Sequence, residues 1–201
     1  MPSYFSRVTW IVLSVLAVGI ITTRIYLASH EKKSELPIIS QVQEFSLTTE
    51  DNSIFTHNDL QDKITIADFI FTTCAGPCPL MSERMKQLQQ DFANEPSIQF
   101  LSFSVDPEYD TPQVLTEYAQ RFGAIKTRWT FLTGDKQAMY TLIQKGFHLG
   151  VEDDTNAIIH STKFVLLDGE ANIRGYYDSE DEESLISLSQ DARSLIRTDN
   201  D

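Results

Sequence analysis

An α/β domain with a mainly parallel central sheet flanked by helices, carried behind an apolar N-terminal segment, is predicted by three features of this 201-residue chain. Apolar strand-like runs alternate with segments whose apolar residues recur at helical spacing. A polar tract separates the first 28 residues from that alternation. The remaining length suits one domain with a full hydrophobic core.

Residues 1–28 read as a membrane anchor. Val8 to Thr23 carries no charge, and Ile25 to Ala28 prolongs the apolar run past Arg24, whose long side chain can snorkel to the headgroups. At 1.5 Å per residue the run spans roughly 31 Å, about one bilayer core. No small-x-small cleavage site follows it, so an uncleaved anchor is expected over a signal peptide. Arg7 and the amino terminus on one side oppose Arg24, Lys32 and Lys33 on the other, so charge leaves the orientation open. Residues 29–40 are polar and form a tether, and the folded domain is expected over residues 41–201.

Within that domain Val42 to Leu47 reads as a first strand and Lys63 to Phe71 (KITIADFIF) as a buried one. Cys78 to Phe92 places Leu80, Met81, Met85, Leu88 and Phe92 at helical spacing. Ser97 to Val105 is the next strand. Thr111 then reads as an N-cap with Pro112 at the first helical position, opening a helix through Phe122 that Gly123 ends. A strand at Trp129 to Leu132, a helix from Asp135 to about Lys145, strands at Lys163 to Leu167 and Asn172 to Tyr177, and a last helix over Glu182 to Ile196 complete the series. Phe69, Phe71, Phe100, Phe103 and Trp129 fall in these apolar strands and are expected in the core. This order implies right-handed parallel crossovers with an antiparallel edge, the layout of a thioredoxin-like domain. Its reactive crevice lies at the carboxyl ends of the strands, where Cys74 falls.

Cys74 and Cys78 are the only cysteines, four residues apart where a strand turns into a helix. A sulfur at a helix mouth is expected to lose its proton more easily, and the i, i+4 spacing puts both on one face if the helix begins near Cys74. The pair could close a disulfide, hold a soft metal ion or remain two unpaired buried thiols. A purely structural disulfide is the weaker reading, because so short a loop removes only roughly 2 kcal/mol of chain entropy against about 4.7 for a 100-residue loop.

The formal charge is −13; the first 33 residues hold four cations and one acid, +3, which leaves −16 for residues 34–201. Such a surface repels nucleic acid and anionic lipid and attracts cationic partners and metal ions. Glu152, Asp153 and Asp154 read as a solvated acidic loop, and the charged run from Glu180 to Glu183 as the solvated start of the last helix, where acids complement the dipole. Asp106-Pro107 and Asp110-Thr111-Pro112 read as turn formers, with Asp106 and Glu108 a possible lining of the site. His30, His57 and His148 fit no motif.

Four stretches together resemble the Sco/SenC family of membrane-anchored, thioredoxin-like copper chaperones for cytochrome c oxidase assembly: Phe71-Thr72-Thr73-Cys74 to Cys78-Pro79, Ser104 to Pro112 (SVDPEYDTP), Trp129 to Gly134 (WTFLTG), and His160-Ser161-Thr162 with Arg174-Gly175-Tyr176-Tyr177. The resemblance implies a copper site made by Cys74, Cys78 and His160, able to hold Cu(I) and Cu(II), with Cys74 and Cys78 also forming a redox-active disulfide. His160 precedes a strand where thioredoxins place a proline, which is absent here. The loop Ala75-Gly76-Pro77 lacks the acidic residue common in the family. The implied partners are a copper-receiving subunit of a respiratory oxidase, other copper carriers and thiol reductants. The implied location is a bacterial inner membrane, single-pass, with the soluble domain in the periplasm; the leader lacks the arginine-rich pattern of a transit peptide. The reading from another class is a thiol-disulfide reductase or thiol peroxidase with Cys74 attacking and Cys78 resolving.

Overall fold

The computed structural model describes residues 10, 13–22, 36–149 and 161–199, in two compact units, Met1–Glu35 and Leu36–Asp201. In the first unit residues 13–22 are helical, with Leu13, Val15, Leu16, Val18, Ile20 and Ile21 exposed. No helix among the described residues is long and apolar enough to cross a membrane.

The second unit runs β1 (Ser40–Gln41), β2 (Ser46–Thr49), β3 (Ile54–Thr56), a 3-10 turn His57–Leu60, β4 (Ile64–Ile70), α1 (Cys78–Asp91), β5 (Ile98–Ser104), α2 (Pro112–Phe122), β6 (Trp129–Thr133), α3 (Lys136–Thr141), a π turn Leu142–Gly146, β7 (Lys163–Leu167), β8 (Asn172–Asp178) and α4 (Glu182–Asp199). The strands form one sheet in the order β1-β8-β7-β4-β5-β6-β2-β3. The expected parallel core is present as β4, β5 and β6, joined through α1 and α2. The sheet as a whole is mixed rather than mainly parallel: β7 joins β4 antiparallel, and β8, β1, β2 and β3 extend both flanks in antiparallel pairs.

β4 is buried along its whole length, as a central strand covered on both faces must be. The ring of Phe69 stacks on Phe103 at 5.3 Å and meets Phe147 edge-on at 5.0 Å, tying the ends of β4 and β5 to the residue that follows the π turn. The five aromatic residues expected in the core are all buried. α2 starts as predicted, with the Thr111 hydroxyl accepting from Val114 N and Gly123 closing the helix at φ 69°.

Two elements differ from expectation. The single strand expected over Val42 to Leu47 is instead the crossing between two strands. β1 pairs with β8 on one flank, β2 pairs with β6 on the other, and buried Val42 donates its N–H to Ala171 O between them. The helix expected from Asp135 to Lys145 widens at Leu142 into a π turn, which ends where Gly146 leaves room for the Leu142 side chain: a Cβ on Gly146 would stand 2.8 Å from Leu142 Cδ1.

Candidate metal centre

β4 ends at Ile70, and the chain turns as Cys74 N donates to Phe71 O at 3.2 Å. Pro77 caps α1, and Cys78 is the first helical residue. The helix therefore begins four residues later than a shared cysteine face would need, and Cys74 sits in the turn ahead of it. Both cysteines are free, Cys74 half-buried and Cys78 buried. The Cys74 sulfur accepts from Gly76 N at 3.4 Å, and the Cys78 thiol meets the Cys74 sulfur and the Phe71 backbone.

Position alone does not make Cys78 acidic. Burial pushes its thiol up to about 12; the Cys74 sulfur and the Asp68 carboxyl push the same way, and the Phe71 backbone offsets them only in part. The expectation of an easily lost proton at the helix mouth is thus reversed at Cys78, because desolvation outweighs the helix dipole. A cation placed between the sulfurs would supply the missing positive charge and release the proton.

A polar cluster lies behind the pair. Asp68, at the centre of β4, is fully buried, and neither carboxyl oxygen has a hydrogen-bond partner. Burial pushes its pKa up to about 7, offset only weakly by the Ser102 hydroxyl opposite it on β5, which falls short of hydrogen-bond geometry. The Ser102 hydroxyl itself accepts from Trp129 Nε1 at 2.9 Å. Nearby, the Tyr118 and Ser82 hydroxyls share a buried hydrogen bond of 2.9 Å, and burial raises the Tyr118 phenol.

The loop between β5 and α2 closes the other side. Asp106 O accepts from Tyr109 N and Asp110 N, and Glu108 pairs with Lys136 at 2.7 Å, so these residues shape a turn. Asp110 is fully buried and bonds to Thr72 and Ser104. Burial raises its pKa against those bonds. Neither Asp68 nor Asp110 stands out as a site residue from sequence alone. Asp68 is signalled by a lone carboxylate inside the apolar run Ile64–Ile70, whereas Asp110 carries only the signature of a turn.

His160 lies outside the described residues, as do His30, Glu152, Asp153 and Asp154. β7 runs antiparallel to β4 with Val165 opposite Ala67, so Lys163, three residues beyond His160, stands toward the same end of the sheet as the Cys74 turn. His57 contacts Gln61 and Phe45, and His148 adopts φ 51°. Among the described residues no cluster of three metal-ligating side chains is present.

The SCO1/SenC family model matches residues 35–196. The chain belongs to the SCO1/SenC family. It is 28% identical over 162 residues to the SCO1 protein homolog of Bacillus subtilis, covering 79% of this chain and 84% of that protein. A SCO1/SenC family lipoprotein of Bacillus anthracis superposes with a TM-score of 0.73 at 30% identity, over 80% of this chain and 98% of that one. BsSco, a Sco-family cytochrome c oxidase assembly protein in which a disulfide switch has been identified, gives 0.71 at 27%, over 80% of this chain and 96% of that one. Copper is present in family structures: Arabidopsis thaliana ScoI with copper bound shares the fold, with a TM-score of 0.64 at 24% identity over 79% of this chain and 99% of that one.

Proposed function

We propose that this SCO1/SenC protein carries copper as cargo between the sulfurs of Cys74 and Cys78 and the imidazole of His160, and delivers it, or reducing equivalents, to a copper-receiving subunit of cytochrome c oxidase during assembly. The observation that supports this most directly is the juxtaposition of the only two cysteines, both free, at the carboxyl end of β4 in a chain of this family. Two thiolates suit Cu(I), and an added imidazole gives a three-coordinate site that also accepts Cu(II). Transfer proceeds by ligand exchange, the partner's donors displacing these three one at a time so that the ion is never free. Residues 1–28 serve as a single membrane anchor, 29–40 as tether and 41–201 as the copper-binding domain, placed on the periplasmic side of a bacterial inner membrane.

Titration of the reduced protein with Cu(I) against a competing chelator tests the site. Cys78→Ser and His160→Ala are expected to weaken binding at least about tenfold each, and parent-like affinity in either variant removes that residue from the ligand set. Binding should also tighten as pH rises, because loading must expel the proton that burial holds on Cys78.

A second reading, thiol-disulfide reductase or thiol peroxidase, has one supporting observation: Cys74 is half-exposed and Cys78 buried, the order needed for one to attack and the other to resolve. Turnover of peroxide or disulfide with a thiol donor, in protein that binds no Cu(I) tightly, would favour it.

A further inference from the structure

Asp110 stands in a turn, where an aspartate ordinarily lies exposed and accepts from the backbone just ahead of it. Here none of it is exposed, and its carboxylate takes no bond from its own turn. Its oxygens accept the Thr72 backbone N–H at 3.3 and 3.2 Å and the Thr72 hydroxyl, 38 residues back in the chain. A further bond comes from the hydroxyl of Ser104, the last residue of β5, at 2.7 Å. The same Ser104 oxygen accepts from Asp106 N at 3.1 Å, and Asp110 N donates to Asp106 O at 2.9 Å. One buried carboxylate thus joins three pieces of backbone: the turn entering α2, the end of β5, and the segment two residues before Cys74. Burying a carboxylate is costly unless charge-assisted bonds replace its water, and here they are spent on the segment leading to the first cysteine.

We propose that Asp110 is a positioning residue for the Cys74–Cys78 pair: acting through Thr72, it holds the Cys74 turn against β5, so the two sulfurs are presented at a fixed separation. The inference rests on the reading that these sulfurs are the working pair. Cys78 is held by α1 and by burial in the core, whereas Cys74 is only partly buried against that core and lies in a turn closed, among the described residues, by the single backbone bond of Cys74 N to Phe71 O. Loosening Thr72 frees one sulfur and leaves the other fixed, which lowers the effective concentration of one thiol at the other.

The equilibrium between the Cys74–Cys78 dithiol and its disulfide reads this directly, and it needs no copper. In glutathione buffer two glutathione thiols reduce the protein disulfide to two thiols and become glutathione disulfide, so electrons and protons balance. In the full chain Asp110→Ala is expected to make the disulfide roughly tenfold easier to reduce, about 30 mV for this two-electron couple. Thr72→Val, which keeps the backbone bond and loses the hydroxyl, should move the constant the same way by about fivefold. Asp110→Asn should stay within about threefold of the parent, since its carbonyl still accepts from Thr72 and the hydroxyl that faces its amide nitrogen can turn to accept. Leu188→Ala, a cavity variant in α4, should lower the melting temperature without moving the constant. Parent-like constants in Asp110→Ala and Thr72→Val overturn the proposal, as does an equal shift in Leu188→Ala; if Asp110→Ala does not fold, Thr72→Val decides. A parent that forms no Cys74–Cys78 disulfide and binds no Cu(I) overturns the functional reading as well.

Discussion

Asp68 shows how much one residue can oppose the fold that surrounds it. Its carboxyl is fully buried, without a hydrogen-bond partner, and its pKa rises to about 7 from an ordinary 3.8. Because the folded pKa lies above the unfolded one, the native state holds a proton that the unfolded chain has released, so stability falls as pH rises from about 4 to about 7 and then levels off. At 1.36 kcal/mol per unit, the three-unit difference corresponds to about 4 kcal/mol. Urea unfolding of the parent and of Asp68→Asn at pH 4.5 and pH 8 checks this: the variant should gain on the parent by a few kcal/mol at the higher pH. A gap that does not change with pH would mean that the native carboxyl ionises normally. At this scale the site was legible in part. Cys74 and Cys78 stood out by spacing alone, since no other cysteine competes. The carboxyl at Asp68 interrupts an apolar strand but does not by itself mark a site, because its neighbours Cys78 and Tyr118 are contributed by α1 and α2, which sequence spacing does not locate. Asp110 was hidden by its local signature, because a turn former near Thr111-Pro112 looks the same whether its oxygens face water or a residue 38 positions earlier.

Elements were legible where their own residues decide them. The strand expected over Lys63 to Phe71 appears as Ile64–Ile70, and the helix opened by Thr111 and Pro112 ends at Gly123, because a continuous apolar run, a cap and a left-handed glycine are local properties. Flanking strands were not: β1, β2 and β3 are short, half-exposed and defined by which neighbour they find. α1 starts at Cys78 as expected, because Pro77 and Pro79 allow a helix to begin there while the preceding turn spends its bond on Phe71; the shared cysteine face, which needed a start near Cys74, is therefore absent. The joint between β8 and α4 carries a prediction of its own. A Cβ on Gly175 would stand 2.5–2.8 Å from the phenol end of Tyr177, whose hydroxyl donates to Asp191 of α4 at 2.8 Å. Tyr177 is buried and its ring is rigid, so Gly175→Ala must push it aside and break that bond. Chemical unfolding should register about 2 kcal/mol of lost stability, and the loss should largely vanish when the same change is made in a Tyr177→Ala background.

At the scale of the whole chain, charge and hydropathy divide the labour. Residues 34–201 carry a net −16, which repels anionic headgroups, so any attraction to a bilayer must come from the N-terminal segment, where the net charge is only +3 and a salt-resistant anchor would have to be apolar. The helical residues 13–22 meet that requirement. They expose Val15, Leu16, Val18, Ile20 and Ile21, and the neighbouring hydroxyls bond back to helix carbonyls, Ser14 to Trp10 O and Thr22 to Val18 O, both at 2.9 Å. Such back-bonding removes the hydroxyl cost that hydrocarbon would otherwise impose. An anchor of this kind and an electrostatic association respond oppositely to salt, which screens surface charge within a few ångströms at 1 M and slightly strengthens apolar burial. In flotation with vesicles containing anionic lipid, the full chain should therefore travel with the vesicles equally at 0.1 and 1 M NaCl. A chain lacking residues 1–28 should stay in the soluble fraction at both. Release of the full chain by salt, or flotation of the shortened one, would place membrane attachment elsewhere and leave the apolar segment without the role proposed for it.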